Sequence, residues 1–385
     1  MSDINKLEIP QASQNERMII DVIRRSPGIL RSEVTRQTNL TQQSVHRILK
    51  GLLKKDVILL GTPMTSGRGQ PSPTVTLNPK AWYSIGVSIN TDTAAVILVD
   101  FCGNELATIQ NSKSPTGPEK TLQWVKHIIS LWLSKFKIPR AQIVGVGFAI
   151  MGYFIEGRRI LRAPVPMNQW SHINLQSKLQ QELNFNVWIA NNATAAAIGE
   201  ALSGAGLHYS DFAYLSFNYG FGAGIVIDGH PLFGAFGNAG EIGRIYQKEE
   251  MVKRPALENL LIKLASHDIH LSSISALHEN FNPSWPGITQ WVEETTPYLV
   301  RAINAFRATI DPQAIVIGGR IPHSLARLLL KSILQQGIFQ EGDKSPKPDI
   351  FISEIEGEPI LSGAALLPLR ACFFHIENEY HATIK

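Results

Sequence analysis

The stretch Thr41-Gln42-Gln43-Ser44-Val45-His46-Arg47-Ile48-Leu49-Lys50 carries its apolar side chains at helical spacing. Val45, Ile48, Leu49, Leu52 and Leu53 stand at i, i+3, i+4, i+7 and i+8, a stripe that packs inward, with Thr41 placed to cap the helix. The opposite face carries Gln42, Gln43, Ser44, His46, Arg47 and Lys50. Amides and guanidinium groups near a helix N-terminus can reach base edges in a major groove, while Arg47 or Lys50 can neutralise phosphate. Any soluble helix has a polar face, so the neighbours decide. Upstream, helical spacing predicts one helix over roughly 16–25 and a short second one over 31–37, broken by Ser26-Pro27-Gly28 and by Thr38-Asn39-Leu40. Downstream, residues 57–60 and 75–77 read as two short strands around Ser66-Gly67-Arg68-Gly69-Gln70-Pro71. Three helices and a hairpin in this order form a winged helix-turn-helix, and the glycines flanking Arg68 suit a narrow wing that places its guanidinium in a minor groove. His46 reads as a surface or phosphate-contacting residue, since no second histidine stands three or four positions away.

Charge follows the same division. Residues 1–80 hold twelve Lys and Arg against six Asp and Glu, a charge of +6, and the other 305 hold 24 against 26, or −2. A basic head on a nearly neutral body fits a head that meets a polyanion.

Over its 385 residues the chain is 44% hydrophobic and 18% charged, which suits two or three globular domains and excludes a disordered or fibrous chain. With two cysteines, Cys102 and Cys372, it has neither a disulfide framework nor a C-x-x-C pair for zinc or redox chemistry. The longest nearly apolar run, residues 143–155, is 13 residues long with three glycines, short of a membrane helix, and residues 1–14 lack the apolar core of a signal peptide. A cytoplasmic protein without a membrane partner is expected.

After Asn78-Pro79, a domain boundary, strands alternate with helices. A three-strand meander over 82–90, 94–100 and 105–112 precedes a helix over 119–136, strands at 143–150 and 187–190, and a helix over 193–203. A second unit follows: strands over 212–218 and 222–228, helices near 256–267 and 288–309, and a strand at 314–317. The expected division is a DNA-binding domain over 1–79, a first α/β lobe over 80–200 and a second over 201–359, with a C-terminal helix at about 360–385 returning to the first lobe.

Four stretches of the body carry a family resemblance. They are Gly86 to Asp100, Ala190-Asn191-Asn192-Ala193 on to Glu200, Gly220-Phe221-Gly222-Ala223-Gly224 continuing through Gly237-Asn238-Ala239-Gly240-Glu241-Ile242-Gly243-Arg244, and Asp311 to Gly319. Together with the winged helix they resemble the ROK family of sugar kinases and sugar-responsive repressors. That resemblance implies a two-lobed, actin-like (ribonuclease H-like) ATPase-fold body.

The departures from the family's kinases matter most. Kinases of the family carry D-x-G-G-T in the first hairpin, where the matching positions here read Ser88, Asn90, Thr91 and Asp92. Serine has no charge to hold magnesium, and side chains at 90 and 91 crowd the phosphate. The family's catalytic aspartate matches Asn192, whose amide orients a hydroxyl but cannot take its proton near neutral pH. Asn191-Asn192 also reads simply as a helix cap ahead of Ala193. Sugar contacts carried over from the family fall on Asn191, Asn192, Glu241 and Glu258, with Arg244 replacing a histidine and suiting an anionic sugar derivative. Against these stand a solvated loop charge for Glu241 and a helix-start acid for Glu258. The family's zinc-binding cysteine cluster is missing over 245–255, and Ala256 stands where a ligand cysteine is expected, so neither metal nor cofactor is implied.

The leading expectation is a transcriptional regulator, foremost a repressor, with operator DNA and a carbohydrate-like effector as partners. A homodimer or dimer of dimers is implied, because one winged helix reads few base pairs. Two alternatives stay open: an active ATP-dependent sugar kinase with a DNA-binding head, and a ligand-independent dimeric regulator.

Overall fold

The computed structural model describes residues 10–64, 72–112, 117–156, 159–337, 344–355 and 358–374. In the head, Ser13 opens α1 (Gln14–Arg25) with a reciprocal cap shared with Glu16, and α2 (Arg31–Gln37) and α3 (Gln42–Lys54) follow. Strand β1 (Ile29–Leu30) pairs with β3 (Ser72–Leu77), which pairs in turn with β2 (Ile58–Met64). Ile19, Ile20, Ile23, Val34, Val45, Leu49, Leu52 and Val75 fill the space between them. The order of elements is that of a winged helix. Arg68 lies outside the described residues.

The body contains the same strand order twice. In the first sheet β4 (Tyr83–Ile89), β5 (Ala94–Asp100) and β6 (Glu105–Asn111) form an antiparallel meander, and β7 (Ile143–Ile150) and then β10 (Val187–Asn191) add on parallel beyond β4. Helices α4 (Gly117–Phe136) and α5 (Leu175–Leu183) belong to this unit, as does a hairpin of β8 (Tyr153–Glu156) and β9 (Ile160–Arg162); α6 (Asn192–Ser203) closes it. In the second sheet β11 (Phe212–Phe217), β12 (Phe221–Ile227) and β13 (His230–Pro231) form the meander, and β14 (Ala314–Gly319) and β15 (Asp349–Ile352) extend it parallel beyond β11. Its helices are α7 (Leu257–Ala265), α8 (Ile274–Asn280), α9 (Ile288–Ile310) and α10 (His323–Gln336). Apolar strands in both sheets read as continuous runs because both faces are covered; β5 is buried at every position.

The last helix, α11 (Pro359–Phe373), packs against α6 and lies on β4 and β7. The crossing is close because Gly363 has no side chain: a Cβ there would run into the Ala195 carbonyl. Ser84 Oγ donates to the Ala365 carbonyl at 2.6 Å, fixing α11 to β4. The helix stops at Phe373, short of the span read from sequence, and 375–385 lie outside the described residues. Where α11 ends, the head docks: the Ala12 amide donates to the Cys372 carbonyl at 3.0 Å. One apolar core runs from α1 and α3 through Phe101 to Phe373 and Phe374.

The hairpin β8–β9 and the helices α5, α8 and α10, together with β15, were not anticipated from sequence. Among the described residues no helix is long and apolar enough to cross a membrane.

Candidate functional site

A cleft of about 430 Å³ opens where β10 and α6 of the first lobe face the β11–β12 turn and the start of α7 in the second. Asn191, Asn192, Glu241 and Glu258, separated by up to 67 positions in sequence, all line it. Asn191 ends β10 and caps α6, its Oδ1 accepting the Thr194 amide at 2.7 Å while its Nδ2 donates to Glu241 Oε1 at 3.3 Å. It is therefore both a cap and a wall of the cleft. Glu241 sits after a tight turn at Gly240, whose φ of 86° and contact with the Ala223 backbone leave no room for a side chain. Burial pushes the Glu241 carboxyl up from its ordinary value, against the pull of Arg244 and of Asn191. Glu258 accepts from Tyr219 Oη at 2.7 Å and from Arg254 Nη2 at 3.3 Å.

Asn192 is 5% exposed. Its Nδ2 donates to Asn90 Oδ1 at 2.8 Å and to the Ile89 carbonyl at 3.3 Å, while its Oδ1 has no partner. A buried acceptor left unpaired costs about 1–3 kcal/mol, and a ligand hydroxyl is the kind of group that would satisfy it.

Arg244 differs from the sequence expectation. It stands in the short 3-10 turn Ile242–Ile245, is not among the described residues lining the cleft, and lies with its guanidinium 5.1 Å from the centre of the ring of Tyr153, which does line it. The cations that do line the cleft are Arg162 and Arg254, neither anticipated from sequence. Arg254 comes from the segment where the family resemblance implied zinc ligands. That segment is held by hydrogen bonds: Asn259 Nδ2 donates to the carbonyls of Met251 (2.9 Å) and Arg254 (3.0 Å), Tyr246 Oη donates to the Tyr298 carbonyl at 2.8 Å, and Arg301 pairs with Glu250 at 2.7 Å. Among the described residues no cluster of three His, Cys, Asp or Glu gathers to hold a metal.

The hairpin that the family resemblance matches to a phosphate loop is held by side chains of both lobes. Asn90 Oδ1 accepts from Asn192 of the first lobe and from Asn218 Nδ2 of the second, the latter at 2.9 Å. Asp92 pairs with Arg320, which follows β14, and also accepts the Ser275 amide at 2.8 Å; Arg320 Nη2 donates to Ser275 Oγ at 2.6 Å. Ser88 Oγ donates to Glu358 Oε2 at 3.3 Å. Burial raises the Glu358 carboxyl, a shift that Arg320 partly opposes. A guanidinium and two amides thus tie the two lobes together through this hairpin.

The two lobes are also clipped above the cleft. Asn238 Nδ2 donates to the Phe154 carbonyl at 2.7 Å and Asn238 Oδ1 accepts the Phe154 amide at 2.8 Å, joining the β8–β9 hairpin to the second lobe.

On α3, Gln42, Gln43, His46, Arg47 and Lys50 are exposed and Ser44 is half-buried. Thr41 caps the helix, accepting the Ser44 amide at 3.3 Å, and its hydroxyl donates to Ser44 Oγ at 3.0 Å, which draws Ser44 into the cap. His46 Nδ1 lies 2.7 Å from Arg31 Nη2 at the start of α2. Arg31 therefore joins this face, and no signal in its local sequence marked it out.

A sequence profile described as ROK family matches residues 84–370. The chain is similar to the xylose repressor of Bacillus subtilis (25% identical over 334 residues, covering 80% of this chain and 83% of that one). Among solved structures it matches a ROK family transcriptional regulator described as a homologue of the E. coli Mlc protein, with a TM-score of 0.73 and 20% identity over 94% of this chain and 96% of that one. It also matches a ROK glucokinase from Streptomyces griseus, with a TM-score of 0.60 and 21% identity over 74% of this chain and 98% of that one. The body has the actin-like, two-lobed fold, and the regulator match extends it to the winged-helix head.

Proposed function

The chain belongs to the ROK family, and from that premise we propose that it is a DNA-binding transcriptional repressor whose body senses a sugar or sugar derivative without phosphorylating it. The observation that carries the reading is the cleft itself. It keeps two carboxylates and two asparagines on a cavity of about 430 Å³, while the hairpin matched to the phosphate loop is tied to the second lobe through Asn90 and Asp92. Asn191, Asn192, Glu241 and Glu258 hold sugar hydroxyls, because carboxylates and amides accept from and donate to neighbouring hydroxyls in fixed geometry. Arg244 acts through Tyr153 and through its charge on Glu241.

In this reading residues 1–79 bind operator DNA through Gln42, Gln43, Ser44, His46, Arg47, Lys50 and Arg68. The lobes over 80–200 and 201–359 close around the effector, and α11 ties the first lobe to the head. A homodimer presents two heads to paired half-sites, and closure changes their separation. Catalysis is lost because Asn192 cannot accept a proton from a sugar hydroxyl and Ser88 cannot carry magnesium. The likeness to a xylose repressor puts pentoses first among effectors to try.

Calorimetric titration of the full chain with pentoses, hexoses, sugar acids and sugar phosphates, each with and without magnesium ATP, tests the body. Heat with a carbohydrate alone, unchanged by ATP, is the expected result. Turnover of ATP with any sugar would replace this reading by the kinase one.

A further inference from the structure

The polar face of α3 is not uniform. With about 3.6 residues per turn, Gln43, Arg47 and Lys50 recur at i, i+4 and i+7 along its middle, opposite the buried Val45, Leu49 and Leu52. His46 stands on the flank of that face, one residue after Val45, and meets the start of α2. There its Nδ1 lies 2.7 Å from Arg31 Nη2. A guanidinium only donates, so the imidazole accepts at Nδ1 and carries its own proton on Nε2.

Arg31 is the first residue of α2, which the buried Val34 anchors in the core of the head. It is half-buried, whereas His46 is exposed. The one acid of α2, Glu33, pairs with Arg36 at 3.5 Å. Among the described residues no carboxylate pairs with Arg31, so its charge is held in place by an uncharged nitrogen and stays open to an anion. A positive charge at the start of a helix meets the positive end of the backbone dipole, so the stability of α2 does not account for an arginine there.

We propose that Arg31 is a DNA-backbone contact of the head, set in direction by His46, and that His46 acts through Arg31 rather than on a base edge. This assignment rests on the reading of the head as a DNA-binding unit. In a helix-turn-helix the helix before the reading helix crosses the backbone of the duplex, which is where the start of α2 lies relative to α3. A guanidinium matches the paired oxygens of a phosphate, and one already oriented loses less freedom on meeting it. Such a contact carries no sequence information of its own; it fixes the register in which Gln43 and Arg47 meet base edges.

The test is a double-mutant cycle read by fluorescence anisotropy, with the full chain on duplexes it selects from a random pool and on scrambled duplexes, over a salt series. Arg31→Ala is expected to weaken binding to both duplexes by the same factor and to lower the salt slope by about 1. His46→Ala is expected to weaken both without changing their ratio, and to add nothing in the Arg31→Ala background. His46→Asn puts an acceptor oxygen in place of Nδ1 and should bind like the parent. Thermal melting identifies the folded variants, with Arg31→Gln in reserve should Arg31→Ala melt lower. Losses that add, an Arg31→Ala variant with the parent's affinity and slope, a His46→Ala variant that narrows the ratio of selected to scrambled binding, or a His46→Asn variant as weak as His46→Ala would each overturn the proposal. A parent that binds neither duplex removes the DNA-binding reading of the head and this assignment with it, whereas the other outcomes, in a parent that binds, bear on Arg31 and His46 alone.

Discussion

Arg320 of the second lobe and Asp92 of the first are paired directly, guanidinium to carboxylate, each 9% exposed and 228 positions apart in sequence. Burial alone would raise the Asp92 carboxyl, but the hydrogen bonds and charge of Arg320, with Ser275, hold it below its ordinary value of 3.8. The pair joins the first lobe to the second.

Breaking that pair should be costly. Arg320→Ala leaves a buried carboxylate alone and is expected to lose roughly 3–5 kcal/mol, while removing both partners recovers much of the loss. Urea unfolding at pH 7 measures both. Because the folded carboxyl is depressed, its contribution is complete above pH 3.8 and disappears as pH falls through the lower folded value. The stability gap between the parent and Asp92→Asn should therefore persist at neutral pH and close only below about pH 4.

Glu241 has the opposite sign. Its folded carboxyl is raised by burial, so at neutral pH the ionised form costs stability, and that cost disappears as pH falls through the raised value. Glu241→Gln is expected to melt no lower than the parent at pH 7.5 while binding the effector at least about tenfold more weakly. Thermal melting and calorimetry on the same sample separate the two effects.

Restoring acids should not restore a kinase. In Ser88→Asp with Asn192→Asp, a base and a metal ligand are present, but Asn90 and Asp92 stay tied to Asn218 and Arg320 of the second lobe. No sugar-dependent release of ADP is expected in a coupled assay. Turnover would mean that this packing opens to nucleotide.

On α3, function and stability should separate by residue. Thr41→Ala removes the cap and costs about 1 kcal/mol of stability. Gln43→Ala should leave melting unchanged and relax sequence preference, while Arg47→Ala should weaken all DNA binding and lower the salt slope by about 1. Anisotropy titrations over a salt series on selected and scrambled DNA distinguish them.

How much of this was legible in sequence follows from where each signal lies. The extent of α3 and its Thr41 cap could be read because both are local: the period and the capping residue lie within fourteen positions. Strands β5 and β7 were visible through nearly unbroken apolar runs. Strand β8 was not, because Tyr153 to Glu156 continues the apolar run begun at Ile143, and only the turn at Gly152 divides them. Asn191, Asn192, Glu241 and Glu258 were found through motif positions, and the fold brings them to one cleft. Arg244 was placed by the same reasoning, but a 3-10 turn directs it onto Tyr153. The pairing of Asp92 with Arg320 and the bridging of Asn90 to Asn218 join distant segments and leave no local pattern. Arg254 was hidden in a loop whose family pattern is absent here.

The central claim joins head to body, and the most direct test measures both at once. DNA fragments selected by the protein from its own genome would be titrated by fluorescence anisotropy, with and without the carbohydrate that gives calorimetric heat. Saturating carbohydrate is expected to weaken specific DNA binding by about 5–150-fold, a coupling of 1–3 kcal/mol, with ATP adding nothing. An unchanged DNA affinity at saturating carbohydrate would contradict the account.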